Sequence, residues 1–461
     1  MGIRAPHPDA DQMESPFLTA PLGWLDAALD ARPSIRLAGR AALGVSDQAF
    51  VSLVNFALGV TVARLVSPTD FGAFGVAFAV YLVALNIARG FATQPLAIRF
   101  GNREADEFRR GTGQAVGLAA LLGVVLGVIC VVLGLLFPAP LSGALVALGL
   151  SLPGLLIQDA WRFVFFTARQ GRKAIVNDVT WTMVLAVSIA FLLMRNQASV
   201  SLLILSWGIG ASAAAAVGIG QTAVLPDFRR AMSWWREHWD ITPRFLGSEL
   251  LQMAGLQFAL LSIGALAGLA AVGSMRGAQI LLGPTFVLAV GVHLTMVPEA
   301  ARLRGAIHRL RQLMILASAG LGLVGFAWGG VLLLVPDPIG RELLGASWEG
   351  TAYVLLPVVV YSVATLLATG PRIGLRAMEE APATLRAAGL QSVFTIVGGI
   401  GGALVGDVST AAWGLAIGNC LALLVWLSES IAALRRLTRE ANERNGPVPQ
   451  LTVEGDPSAP S

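Results

Sequence analysis

Ala63-Arg64-Leu65-Val66-Ser67-Pro68-Thr69-Asp70-Phe71-Gly72 is a short polar turn between two apolar stretches, 43–66 and 72–98. Each arm is long enough to cross a hydrocarbon core of about 30 Å as an α-helix, so the segment from Leu43 to Gly101 reads as a transmembrane hairpin. One arginine and one aspartate flank the turn, and the returning arm carries Asn86, Arg89, Gln94 and Pro95 through otherwise apolar sequence. Ionisable side chains at membrane depth are costly and mark substrate or ion paths, so function is to be sought in this hairpin first.

The rest of the chain repeats the pattern. With 55% hydrophobic and only 13% charged residues over 461 positions, the composition excludes an ordinary soluble protein. The short alternating segments of an outer-membrane barrel are also missing. Breaks at proline, glycine and charge divide the first half into spans at 43–66, 72–98, 113–137, 141–168, 175–194 and 200–223. The second half divides into 244–270, 272–299, 312–335, 351–375, 383–405 and 410–434. The expected fold is an all-α polytopic membrane protein of twelve transmembrane helices in two six-helix bundles. Its expected parts are a cytoplasmic N-terminal tail (1–42), partly disordered, a first bundle (43–223), an amphipathic cytoplasmic linker (224–243), a second bundle (244–434) and a disordered cytoplasmic tail (435–461).

Basic residues set the topology. Arg32, Arg36 and Arg40 precede the first span, and Arg99, Arg103, Arg109 and Arg110 follow the second. Arg169, Arg172, Lys173, Arg229, Arg230, Arg302, Arg304, Arg309, Arg311, Arg372, Arg376, Arg435 and Arg436 fall on the same side, whereas the opposite loops hold only Arg64, Arg195 and Arg341. The positive-inside rule then places both termini in the cytoplasm. Cys130 and Cys420 lie inside apolar spans and imply burial rather than a disulfide. The first 40 residues lack the apolar core of a cleavable signal peptide. In the linker, Trp234, Trp235 and Trp239 alternate with arginines and acids, as in a helix lying along headgroups.

The halves also echo each other. Leu43-Gly44 and Leu246-Gly247 open the first span of each half, Pro95 and Pro298 sit near the end of the second, and Arg99 matches Arg302, all at an offset of 203 positions. Six spans per half is an even number, so the repeat is parallel, the layout of two bundles rocking about a shared path.

The first hairpin resembles the lipid-linked oligosaccharide and polysaccharide flippases, the O-antigen and exopolysaccharide translocases of the MATE-like exporter superfamily. The resemblance rests on Ala63-Arg64 at the end of the first span, Pro68 in the turn and Phe71-Gly72 opening the second. Leu343-Leu344-Gly345-Ala346-Ser347-Trp348 is similar to that family's Leu-Gly-x-x-aromatic element, and the layout extends the likeness over about residues 40 to 437. It implies that an undecaprenyl-pyrophosphate-type oligosaccharide is flipped across a bacterial cytoplasmic membrane for cell-surface polysaccharide biosynthesis. It also implies neighbouring roles for a polysaccharide polymerase and glycosyltransferases, no cofactor and no catalytic residue. Among site residues it carries over Arg64 alone.

Chemistry supplies the other candidates. A diphosphate-sugar headgroup is anionic and hydroxylated, so its path needs fixed cations together with amide partners. Arg89 in the second span and Arg276 in the eighth, equivalent helices under the repeat, are expected to face each other across the cleft. Asn55, Gln94, Gln257 and Gln279 are amide candidates for sugar hydroxyls, although interhelical hydrogen bonding explains any one of them as well. Asp47 and Glu249, near the starts of the first and seventh spans, are candidates for coupling to a proton or sodium ion, or for complementing helix dipoles. Asp159 and Arg162 stand at i, i+3 and read as a structural ion pair, Asp178 as a cap for the fifth helix, and His293 as a packed residue without metal-ligand neighbours. Pro95 and Pro298 read as helix terminators. A cation-coupled multidrug antiporter of the same superfamily is the first rival. A membrane-embedded polysaccharide polymerase is the second, disfavoured because the longest external connection, about 336–350, is too short for a catalytic domain. No phosphate-binding loop or nucleic-acid motif is present.

Overall fold

The structure is a computed structural model that describes residues 33–101, 103–239 and 242–444, except the side chains of 33–48, 242–252, 254, 294 and 441–444. It is helical almost throughout. The first half contains α1 (Pro33–Leu65), α2 (Pro68–Phe100), α3 (Ala105–Gly134), α4 (Leu141–Thr167), α5 (Gly171–Met194) and α6 (Val200–Thr222). A linker helix, Ala231–Glu237, leads to the second half. There follow α7 (Thr242–Ala267), α8 (Leu269–Arg302), α9 (Ile307–Leu333), α10 (Trp348–Leu367, continued as Thr369–Ala377), α11 (Ala381–Val405) and α12 (Val408–Arg444). Ten helical stretches are long and apolar enough to span a membrane, and α1 and α7 add the shorter apolar runs Ala49–Leu65 and Gly255–Ala267. These make the twelve spans, in two bundles of six. The side chains of Val124, Val128, Leu323, Phe326 and Val397 stand exposed around the circumference, where lipid chains supply the apolar surroundings.

The central hairpin forms for local reasons. Ser67 caps α2 by accepting from the Asp70 backbone N–H at 3.2 Å, Pro68 occupies the first turn where its missing N–H costs nothing, and Asp70 complements the dipole. Beyond the cap, α2 leaves its own half and packs on α7 and α8. The approach is closest at the turn end, where a Cβ on Gly72 would run into the Leu269 backbone and one on Gly273 would reach the Gly72 amide. Only glycine permits that contact. The two halves are therefore closed against each other at the end bearing Ser67.

Several expectations change. Pro95 does not end its helix: α2 widens into a π-turn at Arg89–Thr93 and resumes as Gln94–Phe100. A proline ring clashes with the carbonyl four residues earlier, and the wider turn moves that carbonyl aside. Likewise α8 runs through Pro298 to Arg302. Asp178 is no cap, because α5 starts at Gly171 and carries Asp178 into the interior. The linker helix does not simply lie on a surface. Trp234 is fully buried, its ring centroid 5.3 Å from that of Phe100 and 4.1 Å from that of His238. Helix α1 begins at Pro33 rather than 43, and α12 continues past 434 to Arg444. The remaining tail segments, 1–32 and 445–461, lie outside the described residues.

Candidate functional site

Between α2, α4 and α5 lies a buried set of charges. Arg89 donates to both oxygens of Asp159, from Nε at 2.9 Å and Nη2 at 2.6 Å, a bidentate pair whose carboxylate side is only 6% exposed. Arg162 donates from Nε to Asp178 at 3.0 Å, and its Nη1 stands 3.9 Å from Asp159. Gln158 donates to Asp178 at 2.9 Å, and Asn177 donates to the Ala214 carbonyl at 2.6 Å. Two arginines thus balance two aspartates. The expected Asp159–Arg162 pair is the weaker contact, since the Arg162 side chain reaches across to α5 and Arg89 takes Asp159.

The second half presents a different electrostatic situation. A cavity of about 230 Å³ opens between α7, α8, α10 and α12, lined among others by Leu256, Arg276, Gln279, Phe286, Tyr361 and Ser362. Arg276 extends along its wall. Its guanidinium lies 3.7 Å from the centroid of the Phe78 ring on α2, and Nη1 makes only a long contact, 3.5 Å, to Gln279 Oε1. Its Nε is buried without a hydrogen-bond partner, and no carboxylate pairs with it among the described residues. Phe78 in turn stacks on Trp207 of α6 at 5.8 Å, and Tyr81 meets that indole edge-on at 4.6 Å. Arg276 is therefore a fixed cation held at the seam between the halves by an aromatic face.

The structure brings together only part of the expected set. Arg276 and Gln279 share the cavity, whereas Arg89 is engaged with Asp159 and does not stand opposite Arg276 as a second open cation. Arg64 is exposed at the turn, where its backbone packs on Gly345, a residue at φ +58°. Asn55 and Gln94 are partly buried, with the Gln94 Oε1 lacking a partner, and Gln257 is buried on α7. The side chains of Asp47 and Glu249 lie outside the described residues. His293 is not merely packed, because its Nε2 accepts from Arg376 at 2.9 Å. Cys130 is buried and Cys420 partly so.

One cluster escaped the sequence reading. Arg372, read as a topology-setting loop arginine, donates to Gln391 at 3.0 Å and lies 5.1 Å from the centroid of the Trp426 ring. Trp426 donates to the same Gln391 oxygen at 2.9 Å, and Asn419 donates to Thr365 at 2.8 Å. Asn419 and Trp426 are seven residues apart, two helical turns on one face of α12, and that spacing was the available signal.

No protein-family model and no curated protein sequence matches this chain. Solved structures do. A multidrug resistance MATE family transporter of the MOP superfamily, in its inward-facing conformation, superposes with a TM-score of 0.69 at 14% identity, over 87% of this chain and 99% of that one. The fold is MATE-like. The outward-facing conformation of such a transporter gives 0.61 at 14% identity, over 89% and 97% of the two chains. The lipid II flippase MurJ, in an inward closed conformation, gives 0.63 at 13% identity, over 86% and 90%. The chain is thus a multi-pass membrane protein with the architecture shared by these transporters.

Proposed function

We propose that this protein flips a lipid-linked oligosaccharide, carried on an undecaprenyl-pyrophosphate-type anchor, from the cytoplasmic to the outer leaflet by alternating access. The observation that carries this reading is Arg276, a buried guanidinium facing a cavity with no carboxylate partner among the described residues. A desolvated cation without a counter-ion is costly, and a diphosphate ester is the membrane-borne anion that would neutralise it. Phe78 occupies the guanidinium face and leaves in-plane N–H groups for phosphate oxygens. Gln279 stands beside them for sugar or phosphate oxygens. The basic end of the bundle is the cytoplasmic end on this reading, because arginines concentrate there. No bond is made or broken. Export of organic cations is the poorer reading, since the buried carboxylates Asp159 and Asp178 are each already held by an arginine.

Reconstituted vesicles loaded with a fluorescent lipid-linked diphosphate sugar test the proposal. Arg276→Ala is expected to slow flipping by about tenfold or more, and Arg276→Lys by less, as for loss of a charge-assisted hydrogen bond. Thermal unfolding of both variants separates transport from folding. Unchanged flipping with residue 276 neutral would sink the idea. Proton- or sodium-driven ethidium efflux without any lipid flipping would favour the multidrug alternative.

A further inference from the structure

We propose that the basic end of the first half holds a dedicated site for the phosphate headgroup of an anionic phosphoglyceride. A cavity of about 450 Å³ lies where the end of α2, the first turns of α3 and the linker helix meet. Its wall carries Arg99, Arg103, Arg110 and Arg230 against Glu107 and Glu237. Four arginines against two glutamates leave an excess of two positive charges.

These arginines are not consumed by strong pairs within the protein. Arg103 stands 3.8 Å from Glu107, Arg230 stands 3.9 Å from Asp227, and Arg110 reaches the Asp106 carbonyl at 3.4 Å. Arg99 plays a structural part, donating to the Glu237 backbone carbonyl at 3.0 Å and so fixing the linker helix against α2. The buried Trp234, packed on Phe100 and His238, forms the floor. The cavity is thus built by the fold rather than by a loose cluster of side chains.

Depth and surroundings select a lipid over a free anion. Along α3 the exposed residues change from Arg103, Glu104, Asp106, Arg109 and Arg110 to Val124, Val125 and Val128, so the cavity stands just beyond the apolar belt. Phe228, Met232 and Trp239 are exposed on the adjoining linker. Acyl chains would lie along those side chains while the phosphate enters among the arginines, an arrangement suited to headgroup depth. The site is separate from the Arg276 cavity, and its ligand is a resident lipid rather than the transported one.

Native mass spectrometry of the full-length protein in detergent tests this. The protein is titrated with phosphatidylglycerol, phosphatidylcholine or glycerol 3-phosphate. The wild type is expected to retain phosphatidylglycerol selectively. Each arginine near an anionic headgroup is worth about a factor of five, so Arg103→Gln/Arg110→Gln/Arg230→Gln should lose about a hundredfold in affinity. The corresponding triple lysine variant should keep most of the binding and controls for folding. Equal retention of phosphatidylcholine, equal binding of glycerol 3-phosphate, or full retention of phosphatidylglycerol by the glutamine variant would each overturn the proposal. Flipping assays with Arg276 intact report on the transport reading separately.

Discussion

Three arginines at membrane depth have three different relations to charge. Arg162 closes on Asp178, whose side chain is wholly buried. Arg89, 31% exposed, is bidentate on Asp159. Arg276 has an aromatic ring where the others have a carboxylate. Removing one partner of a buried pair strands the other, which costs about 3–5 kcal/mol. Arg162→Met is therefore expected to lower the thermal unfolding temperature markedly in detergent, and Arg162→Met/Asp178→Leu to recover most of the loss. An unchanged melting temperature for the single variant would remove the pair from the account of stability. Which arginine was paired could not be read from spacing. Asp159 and Arg162 share a helical face, but a long arginine side chain can reach a neighbouring helix, and interhelical distance is set by packing.

At the level of elements, α2 does most to join the halves. Gly72 and Gly273 let its first turn touch α8 backbone to backbone. A valine at position 72 would overpack that contact at a cost of about 1–3 kcal/mol and force the helices apart. Spin labels at Thr69 and Leu266, both exposed, should report a longer distance in Gly72→Val than in the wild type. An identical distance distribution would show that the contact does not hold the turn end closed. At the start of α12, Asp407 accepts from the Tyr353 hydroxyl at 2.7 Å and from the backbone N–H groups of Ser409 and Thr410 at 3.0 and 3.1 Å. These donors hold its carboxyl below the usual range. A depressed folded-state pKa contributes stability above the unfolded value, about 3.9, and that contribution disappears as pH falls through the folded value. The difference in melting temperature between wild type and Asp407→Ala should thus be full at neutral pH and shrink in acid. Helix starts of this kind were readable at Ser67-Pro68, whereas the π-turn at Arg89–Thr93 was not, because the proline pattern fits both an ended helix and a widened one.

For the molecule as a whole, the twelve spans were the clearest message of the sequence, since runs of about 20 apolar residues leave few alternatives. The candidate site was readable in kind but not in membership. Arg276 and Gln279 were singled out correctly as neighbours, while Arg372, Gln391, Asn419 and Trp426 formed a cluster that no linear motif announces. The orientation inferred from the arginines yields its own test. With Cys130 and Cys420 replaced by alanine, a cysteine at Gln197 should react with a membrane-impermeant maleimide in intact cells, and one at Arg309 only after lysis. The reverse pattern would invert the topology and, with it, the direction assigned to transport.

The Arg276–Phe78 contact joins a cation on α8 to a ring on α2, so the electrostatic environment of the cavity is completed by the other half of the protein. Thermodynamic reciprocity follows. If apposition of the halves tightens the grip of the guanidinium on a phosphate by some factor, an occupied cavity must favour apposition by the same factor. Phe78→Ala would uncouple the two, leaving a cation that still attracts an anion but no longer senses whether the halves are together.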